Sequence, residues 1–208
     1  MQERILVADD HGIVRYGLTM MIRKLRPGAI VEEAADYAKV IEMAQKSPYD
    51  LYILDVTMPN GSFINAYSLL KRASPTCKIL IFSSLDEEIY AMRYIESGAD
   101  GFLNKLATEE EMKTALEKIF NNGKYVSDAV KDALVFYKSG KGKSRPLDQL
   151  SNREIAIANM LVRGKSLKEI SQELHLHVST VSTYKTRIFE KLQIQNIPDL
   201  IKVMGISN

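Results

Sequence analysis

The sequence predicts an α/β fold with a doubly wound, five-stranded parallel sheet, joined to a small all-α domain. In residues 1–122, five short apolar segments alternate with five helical stretches, whereas every periodic segment from Gln149 onward is helical. Apolar strands that alternate with helices are typical of parallel sheets covered on both faces. A length of 208 residues is enough for two domains that each bury a core.

The five predicted strands are short, and turn or acidic residues bound each of them. They cover residues 5–8, 30–34, 51–54, 78–82 and 101–103. Helical periodicity follows each strand, over about 12–25, 37–46, 64–73, 87–96 and 108–121. In an open sheet of this kind the carboxyl ends of the strands share one edge, and binding sites form there. The residues that follow the strands are therefore the first candidates for a site.

A change in composition follows the fifth helix. A further helix is predicted over 127–138, and the stretch SGKGKSRPL after it has the glycine, serine and lysine content of a solvated linker. We therefore predict a first domain at 1–123, a linker at 124–146 and a second domain at 147–208.

Charge is distributed unevenly over these three parts. The first domain contains 14 Lys or Arg and 18 Asp or Glu, a net charge of −4. The linker contains 6 Lys or Arg and 2 Asp or Glu, a net charge of +4. The second domain contains 8 Lys or Arg and 6 Asp or Glu, a net charge of +2. A basic second half is compatible with a polyanionic partner, but so small a charge does not identify one.

Composition excludes several classes of protein. Cys77 is the single cysteine, so the chain has no internal disulfide, and its apolar runs are too short to span a bilayer. The segment before Asp9 lacks the pattern of a signal peptide. We therefore expect a cytoplasmic protein without a membrane partner.

Reactive side chains follow four of the five predicted strands. In chain order they are Asp9 and Asp10, then Asp55, then Ser83 and Ser84, then Asn104 and Lys105. If the first and third strands are neighbours, their ends lie about 5 Å apart, and the three carboxylates repel one another unless a cation neutralises them. Oxygen ligands with open positions suit Mg²⁺, while a lysine and a hydroxyl suit an incoming phosphoryl group. The pattern predicts a carboxylate nucleophile that accepts phosphate.

These positions make residues 4–122 resemble the receiver domain of two-component response regulators. The resemblance rests on Asp9-Asp10, Asp55 followed by Met58-Pro59, Ser83 and Lys105. It implies a flavodoxin-like strand order of 2-1-3-4-5 and makes Asp55 the phosphorylated residue. It also implies that Asp10, Asp55 and the backbone carbonyl of Thr57 bind Mg²⁺, with Asp9 assisting through water.

The same resemblance assigns the remaining groups around the phosphate. Lys105 would pair with the phosphoryl group, and Ser83 would donate a hydrogen bond to it. Movement of Ser83 would let the aromatic ring of Phe102 turn inward, so that these two residues form the switch.

Two positions depart from the family pattern. Phe63 stands where glycine is common, and Gly61 lies two residues earlier. Leu106 follows Lys105 where proline is frequent. Both changes keep every reactive group, and they predict an unusual loop after the third strand and altered rates of phosphorylation and dephosphorylation.

The second domain carries the sequence signals of a helix-turn-helix. Ser151 with Glu154, and Ser166 with Glu169, form capping boxes that begin two helices, and Gly164 ends the first of them. A third helix begins near Ser179. Its apolar face consists of Val181, Tyr184, Ile188 and Leu192, and its polar face of Thr180, Ser182, Thr183, Thr186 and Arg187, flanked by Lys185. A helix with such a polar face fits the major groove of DNA.

Residues 148–205 resemble the DNA-binding domain shared by quorum-sensing and nitrate-responsive regulators of the NarL/FixJ/LuxR type. The matching segments are LSNRE, Gly164, KEI at 168–170, TVSTYKTRI at 180–188 and KL at 191–192, and VSTYKTR is close to the virulence and acid-stress subgroup. The resemblance implies base contacts from Ser182, Thr183 and Thr186, and phosphate contacts from Lys185 and Arg187. It also implies that the apolar segment 197–206 contributes to a dimer contact as well as to the core.

We therefore predict a phosphorylation-dependent transcription regulator rather than a turnover enzyme. Its partners would be a sensor histidine kinase or phosphotransfer protein, double-stranded DNA, and a second copy of the chain in the active state. One alternative is a DNA-binding regulator that ignores phosphate and responds to a protein or small ligand, which the altered loop at Phe63 keeps open. Another is an aspartyl-phosphate phosphatase, but Thr57 stands where its general acid is needed and a substrate cap is missing.

Overall fold

The computed structural model describes residues 2–121, 123–132, 146–174 and 176–204. The chain divides into two compact units, Met1–Leu134 and Val135–Asn208.

Five parallel strands form the sheet of the first unit. They are β1 (Arg4–Ala8), β2 (Ile30–Ala34), β3 (Leu51–Leu54), β4 (Lys78–Ser83) and β5 (Gly101–Asn104). Their order is β2-β1-β3-β4-β5, and all four pairings are parallel. The predicted fold class and strand order are confirmed. In this order β1 and β3 are neighbours, with Ala8 opposite Leu54, so the residues after these strands lie side by side.

A helix follows each strand, as predicted. The helices are α1 (Gly12–Leu25), α2 (Tyr37–Lys46), α3 (Phe63–Ala73), α4 (Glu87–Glu96) and α5 (Glu109–Phe120). The N-cap side chains of α2, α3 and α5 each accept a hydrogen bond from the third helical backbone N–H. These caps satisfy backbone donors that the first turn leaves open, and they set the points at which the helices begin.

The sheet is apolar because helices cover both of its faces. All four residues of β3 are buried, as expected for the central strand. On one face Ile5, Ile53 and Leu80 pack with Leu18 and Ile22 of α1, and Ala115, Leu116 and Ile119 of α5 join the same cluster. This packing fixes the strand ends relative to one another, and therefore the side chains that follow them.

The second unit consists of short helices around one apolar core. A 3₁₀ turn at Pro146–Gln149 precedes α6 (Asn152–Val162), α7 (Leu167–Glu173), α8 (Val178–Leu192) and α9 (Ile197–Val203). Ser151 and Ser166 form the predicted capping boxes with Glu154 and Glu169. The fully buried side chains are Ile157, Ala158, Ile170, Val181, Ile188, Leu200 and Met204. Of the helix predicted at 127–138, residues 128–132 are helical, and 133–138 lie outside the described residues.

No helix within the described ranges is both long enough and apolar enough to cross a membrane.

Replacing Glu154 by glutamine is expected to destabilise the second unit. The Glu154 carboxylate is buried and accepts hydrogen bonds from Lys191 Nζ and from the Ser151 backbone N–H, both at 2.7 Å. Burial alone would raise the pKa of Glu154, but the bonds from Lys191 and Ser151 outweigh it and hold that pKa below its ordinary 4.5. Because bonds to a charged group are the stronger kind, we expect a loss of about 2 kcal/mol in the free energy of unfolding at neutral pH.

The pH dependence of this loss follows from the lowered pKa. The stability that Glu154 contributes is present above the ordinary glutamate pKa and disappears as the pH falls through the lower folded-state value. Urea unfolding of the full chain, followed by circular dichroism, should therefore show a difference between Glu154→Gln and wild type that shrinks below pH 4.5. The exposed Glu190→Gln serves as the control. An equal loss of unfolding free energy in both variants would show that the two hydrogen bonds of Glu154 do not stabilise the second unit.

Candidate functional site

Two aspartates meet at the carboxyl ends of the neighbouring strands β1 and β3. Asp9 follows β1 and Asp55 follows β3, and the Asp55 backbone N–H donates to the Ala8 carbonyl at 2.8 Å. Both residues are buried, with exposed fractions of 1 % and 0 %. Asp10 lies beside them and is exposed. The sheet thus forces two buried carboxylates together, which is costly unless a cation lies between them.

Lys105 supplies a cation to this crevice. Its Nζ lies 2.7 Å from Asp9 Oδ2 and 2.8 Å from Asp55 Oδ2. The lysine is held in place through the sheet, since its backbone N–H donates to the Ser83 carbonyl at the end of β4. Burial alone would lower the pKa of Lys105, but hydrogen bonds to Asp55 and Asp9 outweigh it and raise that pKa above 10.5. The side chain is therefore an ammonium ion that bridges both carboxylates.

The turn after β3 holds the Asp55 carboxylate from the other side. The Thr57 backbone N–H donates to Asp55 Oδ1 at 3.0 Å, and Thr57 Oγ1 donates to Asp55 Oδ2 at 2.6 Å. Together with Lys105, these bonds fix the orientation of the carboxylate. Such a fixed carboxylate, paired with a cation, is suited to act as an oriented nucleophile.

The donor atoms in the crevice also suit a divalent cation. Asp9, Asp10, His11 and Asp55 each offer one ligand atom, and these atoms all lie within 4.8 Å of one another. A site dominated by carboxylate oxygens, with room for further ligands, matches what hard divalent cations require. His11 was missed in the sequence, although it directly follows Asp10. Its Nδ1 lies 2.8 Å from Asp10 Oδ1 and 3.1 Å from Asp9 Oδ1.

The two predicted switch residues are both buried. Ser83 is fully buried, and its hydroxyl oxygen accepts a hydrogen bond from the Leu85 backbone N–H at 3.3 Å. Phe102 is also fully buried, and its ring stacks on Tyr94 with 6.1 Å between ring centroids. The ring of Phe102 is thus packed against α4. The movement of the pair stays a prediction.

The loop after β3 has the unusual backbone that the departure at Phe63 suggested. Asn60 and Gly61 both have positive φ angles, of 61° and 153°. Phe63 is the first residue of α3 and is buried, and its ring lies 5.6 Å from that of Tyr94. Because Tyr94 also stacks on Phe102, an aromatic row connects the start of α3 with a predicted switch residue. At the second departure, Leu106 is 87 % exposed, and its peptide bond to Lys105 is trans, as are the others in the described ranges.

Helix α8 presents the predicted polar face to the solvent. Ser182, Thr183, Thr186 and Arg187 are exposed, Thr180 and Lys185 are partly buried, and Val181, Ile188 and Leu192 are buried on the opposite side. The hydroxyl groups of Thr183 and Thr186 donate to helix carbonyls one turn earlier, at 3.0 and 3.2 Å. This fixes the two side chains against the helix and leaves their oxygen lone pairs and methyl groups facing outward.

Two protein-family profiles match the chain and together cover most of it. The profile described as "Response regulator receiver domain" matches residues 5–117. The profile described as "Bacterial regulatory proteins, luxR family" matches residues 148–204. The first match contains the whole aspartate and lysine crevice, and the second contains α8.

Curated relatives match over nearly the whole chain. The response regulator GacA of Pseudomonas protegens is 34 % identical over 198 residues, which cover 95 % of this chain and 92 % of the relative. The oxygen regulatory protein NreC of Staphylococcus carnosus is 30 % identical over 206 residues, which cover 96 % of this chain and 95 % of the relative.

A solved structure shares the fold. RcsB of Salmonella enterica serovar Typhimurium, bound to the promoter rprA in the presence of the phosphomimetic BeF3-, aligns over 100 % of both chains with a TM-score of 0.77 and 21 % identity. The profiles, the relatives and the crevice agree with one another. The chain therefore belongs to the two-component response regulators, in which a receiver domain precedes a luxR-type DNA-binding domain, and it is a phosphorylation-dependent regulator of transcription.

Proposed function

We propose that Asp55 accepts a phosphoryl group from the phosphohistidine of a sensor kinase or phosphotransfer protein. The observation that carries this proposal is the ammonium group of Lys105 between two buried carboxylates, 2.8 Å from Asp55 and 2.7 Å from Asp9. An unreactive core would gain more from apolar side chains at these places than from buried charges. We propose the receiver domain at 1–123, the linker at 124–146 and the DNA-binding domain at 147–208.

A bound Mg²⁺ would be held by Asp10, Asp55 and the Thr57 backbone carbonyl, with Asp9 assisting through water. When bound, it neutralises charge on the transferring phosphoryl oxygens. An Asp55 carboxylate oxygen attacks phosphorus, the bond from phosphorus to the histidine nitrogen breaks, and the electron pair stays on the imidazole. Lys105 then leaves the carboxylate and pairs with a phosphoryl oxygen, and Ser83 donates a hydrogen bond to another.

The new charge acts by favouring one of two states of the protein. Its effect is limited to the difference in free energy with which the phosphoryl group stabilises the two states. We propose that the favoured state binds DNA as a homodimer through α8, on half-sites about 10 base pairs apart. In support, RcsB of Salmonella is bound to a promoter in the structure obtained with a phosphomimetic. A DNA-binding protein that a kinase phosphorylates acts in the cytoplasm, which is the location that we propose.

The test is to incubate the full chain with acetyl phosphate and Mg²⁺. Intact mass spectrometry should show the gain of one phosphate, and size-exclusion chromatography should show a shift from monomer to dimer. Affinity for DNA selected from a random pool should rise in parallel. Uptake of phosphate without a change in oligomeric state or DNA affinity would contradict the proposal that phosphorylation favours a DNA-binding dimer. Steady release of phosphate from many esters would indicate a phosphatase.

The phosphatase gains no support, since Thr57 hydrogen-bonds the carboxylate and offers no acid at that position.

Substitutions on α8 are expected to separate base reading from phosphate contact. Arg187→Ala should weaken binding to all DNA sequences alike and reduce the slope of log affinity against log salt by about 1, the effect of one lost phosphate contact. Thr186→Ala should leave this slope unchanged and relax the preference for the selected base pair. The exposed Lys46→Ala on α2 is the charge-matched control. Equal salt slopes for Arg187→Ala and Lys46→Ala would argue against α8 as the DNA-facing helix.

A further inference from the structure

Tyr37, the first residue of α2, contacts the loop after β3 at three points. Its hydroxyl donates to the Asp55 backbone carbonyl at 3.0 Å, and its backbone N–H donates to the Pro59 carbonyl at 3.2 Å. Its Cβ also lies against Gly61, since a Cβ added to that glycine would be only 2.6 Å away. The loop that follows the phosphoacceptor is thus attached to a helix on another part of the sheet.

The neighbouring residue strengthens this attachment. Asp36 caps α2 by accepting from the Lys39 backbone N–H at 2.7 Å, and its second carboxylate oxygen accepts from Asn60 Nδ2 at 3.1 Å. Asn60 and Gly61 have φ angles of 61° and 153°, a pair of backbone conformations that side chains disfavour. The loop therefore has a backbone conformation that few residues adopt. The start of α2 contacts it at four places, which are Asp55, Pro59, Asn60 and Gly61.

The Tyr37 hydroxyl needs a hydrogen-bond acceptor inside the protein. The residue is fully buried, and a buried hydroxyl without a partner would be costly. The bond from the Tyr37 hydroxyl to the Asp55 carbonyl, at 3.0 Å, supplies that partner.

We propose that Tyr37 is a positioning residue for phosphoryl transfer. The Asp55 backbone is held on both sides, because its N–H donates to Ala8 and its carbonyl accepts from Tyr37. The carbonyl belongs to the peptide group that joins Asp55 to Val56, and Thr57 is the next residue. Holding this group therefore sets the direction of the Asp55 carboxylate and of the Thr57 carbonyl, the atoms that are to meet phosphorus and Mg²⁺. This inference rests on the proposed function of the crevice.

Removing only the hydroxyl should loosen the loop and leave the fold intact. Tyr37→Phe keeps the ring that packs on Gly61 and removes the donor to Asp55. With one neutral hydrogen bond lost, we expect the Mg²⁺ concentration for half-maximal phosphorylation by acetyl phosphate to rise roughly fivefold to tenfold. The rate at saturating Mg²⁺ should fall less. Backbone amides of residues 57–61 should exchange with solvent faster, while those of the β-strands keep their protection.

Tyr52→Phe is the matched control. Tyr52 is a fully buried tyrosine of β3, and within the described part of the chain its hydroxyl has no hydrogen-bond partner of acceptable geometry. The two variants lose the same atom from the same domain, and Tyr52 lies only three residues before Asp55 in the chain. Only the variant at position 37 should change the Mg²⁺ dependence and the local amide exchange.

A readout without phosphorylation separates this inference from the proposed function. Mg²⁺ should raise the thermal unfolding midpoint of the wild type and of Tyr52→Phe, and at the same Mg²⁺ concentration it should raise that of Tyr37→Phe less. If the wild type takes up no phosphate, the proposed function fails, and the Mg²⁺ shift still decides the role of Tyr37. Equal Mg²⁺ shifts and equal exchange at 57–61 in both variants would overturn the inference.

Discussion

The Asp55→Asn variant is expected to gain no phosphate from acetyl phosphate and Mg²⁺, whereas the wild type gains one. Asparagine has the same shape as aspartate, and its amide oxygen can still accept from the Thr57 backbone N–H, which donates at 3.0 Å in the wild type. An amide is neutral and is a poor nucleophile, so the chemical step is lost while the fold is kept. The response of DNA affinity to acetyl phosphate should disappear with it.

The control for this variant is an exposed carboxylate of the same unit. The Asp128 side chain is 92 % exposed and pairs only locally, with Lys131, at 2.6 Å. Asp128→Asn should therefore take up phosphate like the wild type. Intact mass before and after treatment measures both variants. A full mass gain in Asp55→Asn would place the phosphoryl group on another residue and would remove the basis of the proposed mechanism.

Lys105→Met is expected to have two opposite effects on the receiver unit. Without Mg²⁺ the variant should be less stable by about 3 kcal/mol or more, because it leaves Asp9 and Asp55 buried without their cation. With Mg²⁺ most of this loss should be recovered, and the cation should bind more tightly than to the wild type. The reason is electrostatic, since three carboxylates would face the ion without a competing ammonium group.

The pH dependence of the stability difference without Mg²⁺ follows from the raised pKa of Lys105. A lysine whose pKa is higher in the folded state contributes its full stability below the ordinary value of 10.5 and loses it as the pH rises through the folded-state value. The difference between wild type and variant should therefore stay constant from neutral pH up to the ordinary lysine pKa. It should decrease only at higher pH.

Chemical unfolding with and without Mg²⁺ measures both effects. The exposed Lys113→Met on α5 is the control, and its stability should not depend on Mg²⁺ differently from the wild type. Phosphorylation of Lys105→Met should also be slow, because the transferring group loses its cationic partner. A variant that is as stable as the wild type without Mg²⁺ would show that the two short contacts of Lys105 contribute nothing.

The fold was predictable because the central strands are continuous apolar runs with polar residues at their ends. The predicted bounds of β2 and β3 agree with the structure to the residue, and the order of the strands followed from the family resemblance. The errors are at element ends, where local signals compete. Strand β4 extends to Ser83, and α3 begins at Phe63 because the Ser62 side chain caps it.

The crevice was predictable in part, for a related reason. Residues that directly follow parallel strands converge on one edge, so the meeting of Asp9, Asp55 and Lys105 needed only the strand order. Tyr37 could not be found in this way. Its hydroxyl reaches Asp55 across the domain from the start of α2, and no periodicity or spacing along the chain indicates that contact. The stacking of the Phe102 ring on Tyr94 likewise depends on packing between α4 and β5.

We expect the bridging ammonium group of Lys105 to influence which ions can enter the crevice. The ammonium group is a monovalent cation that is covalently attached to the chain, so it is always present beside Asp9 and Asp55. Sodium or potassium would bring the same charge without this attachment and would gain nothing by displacing it. A divalent ion would attract the carboxylates about twice as strongly and could compete. We therefore expect the chain itself to discriminate against monovalent ions, irrespective of their size.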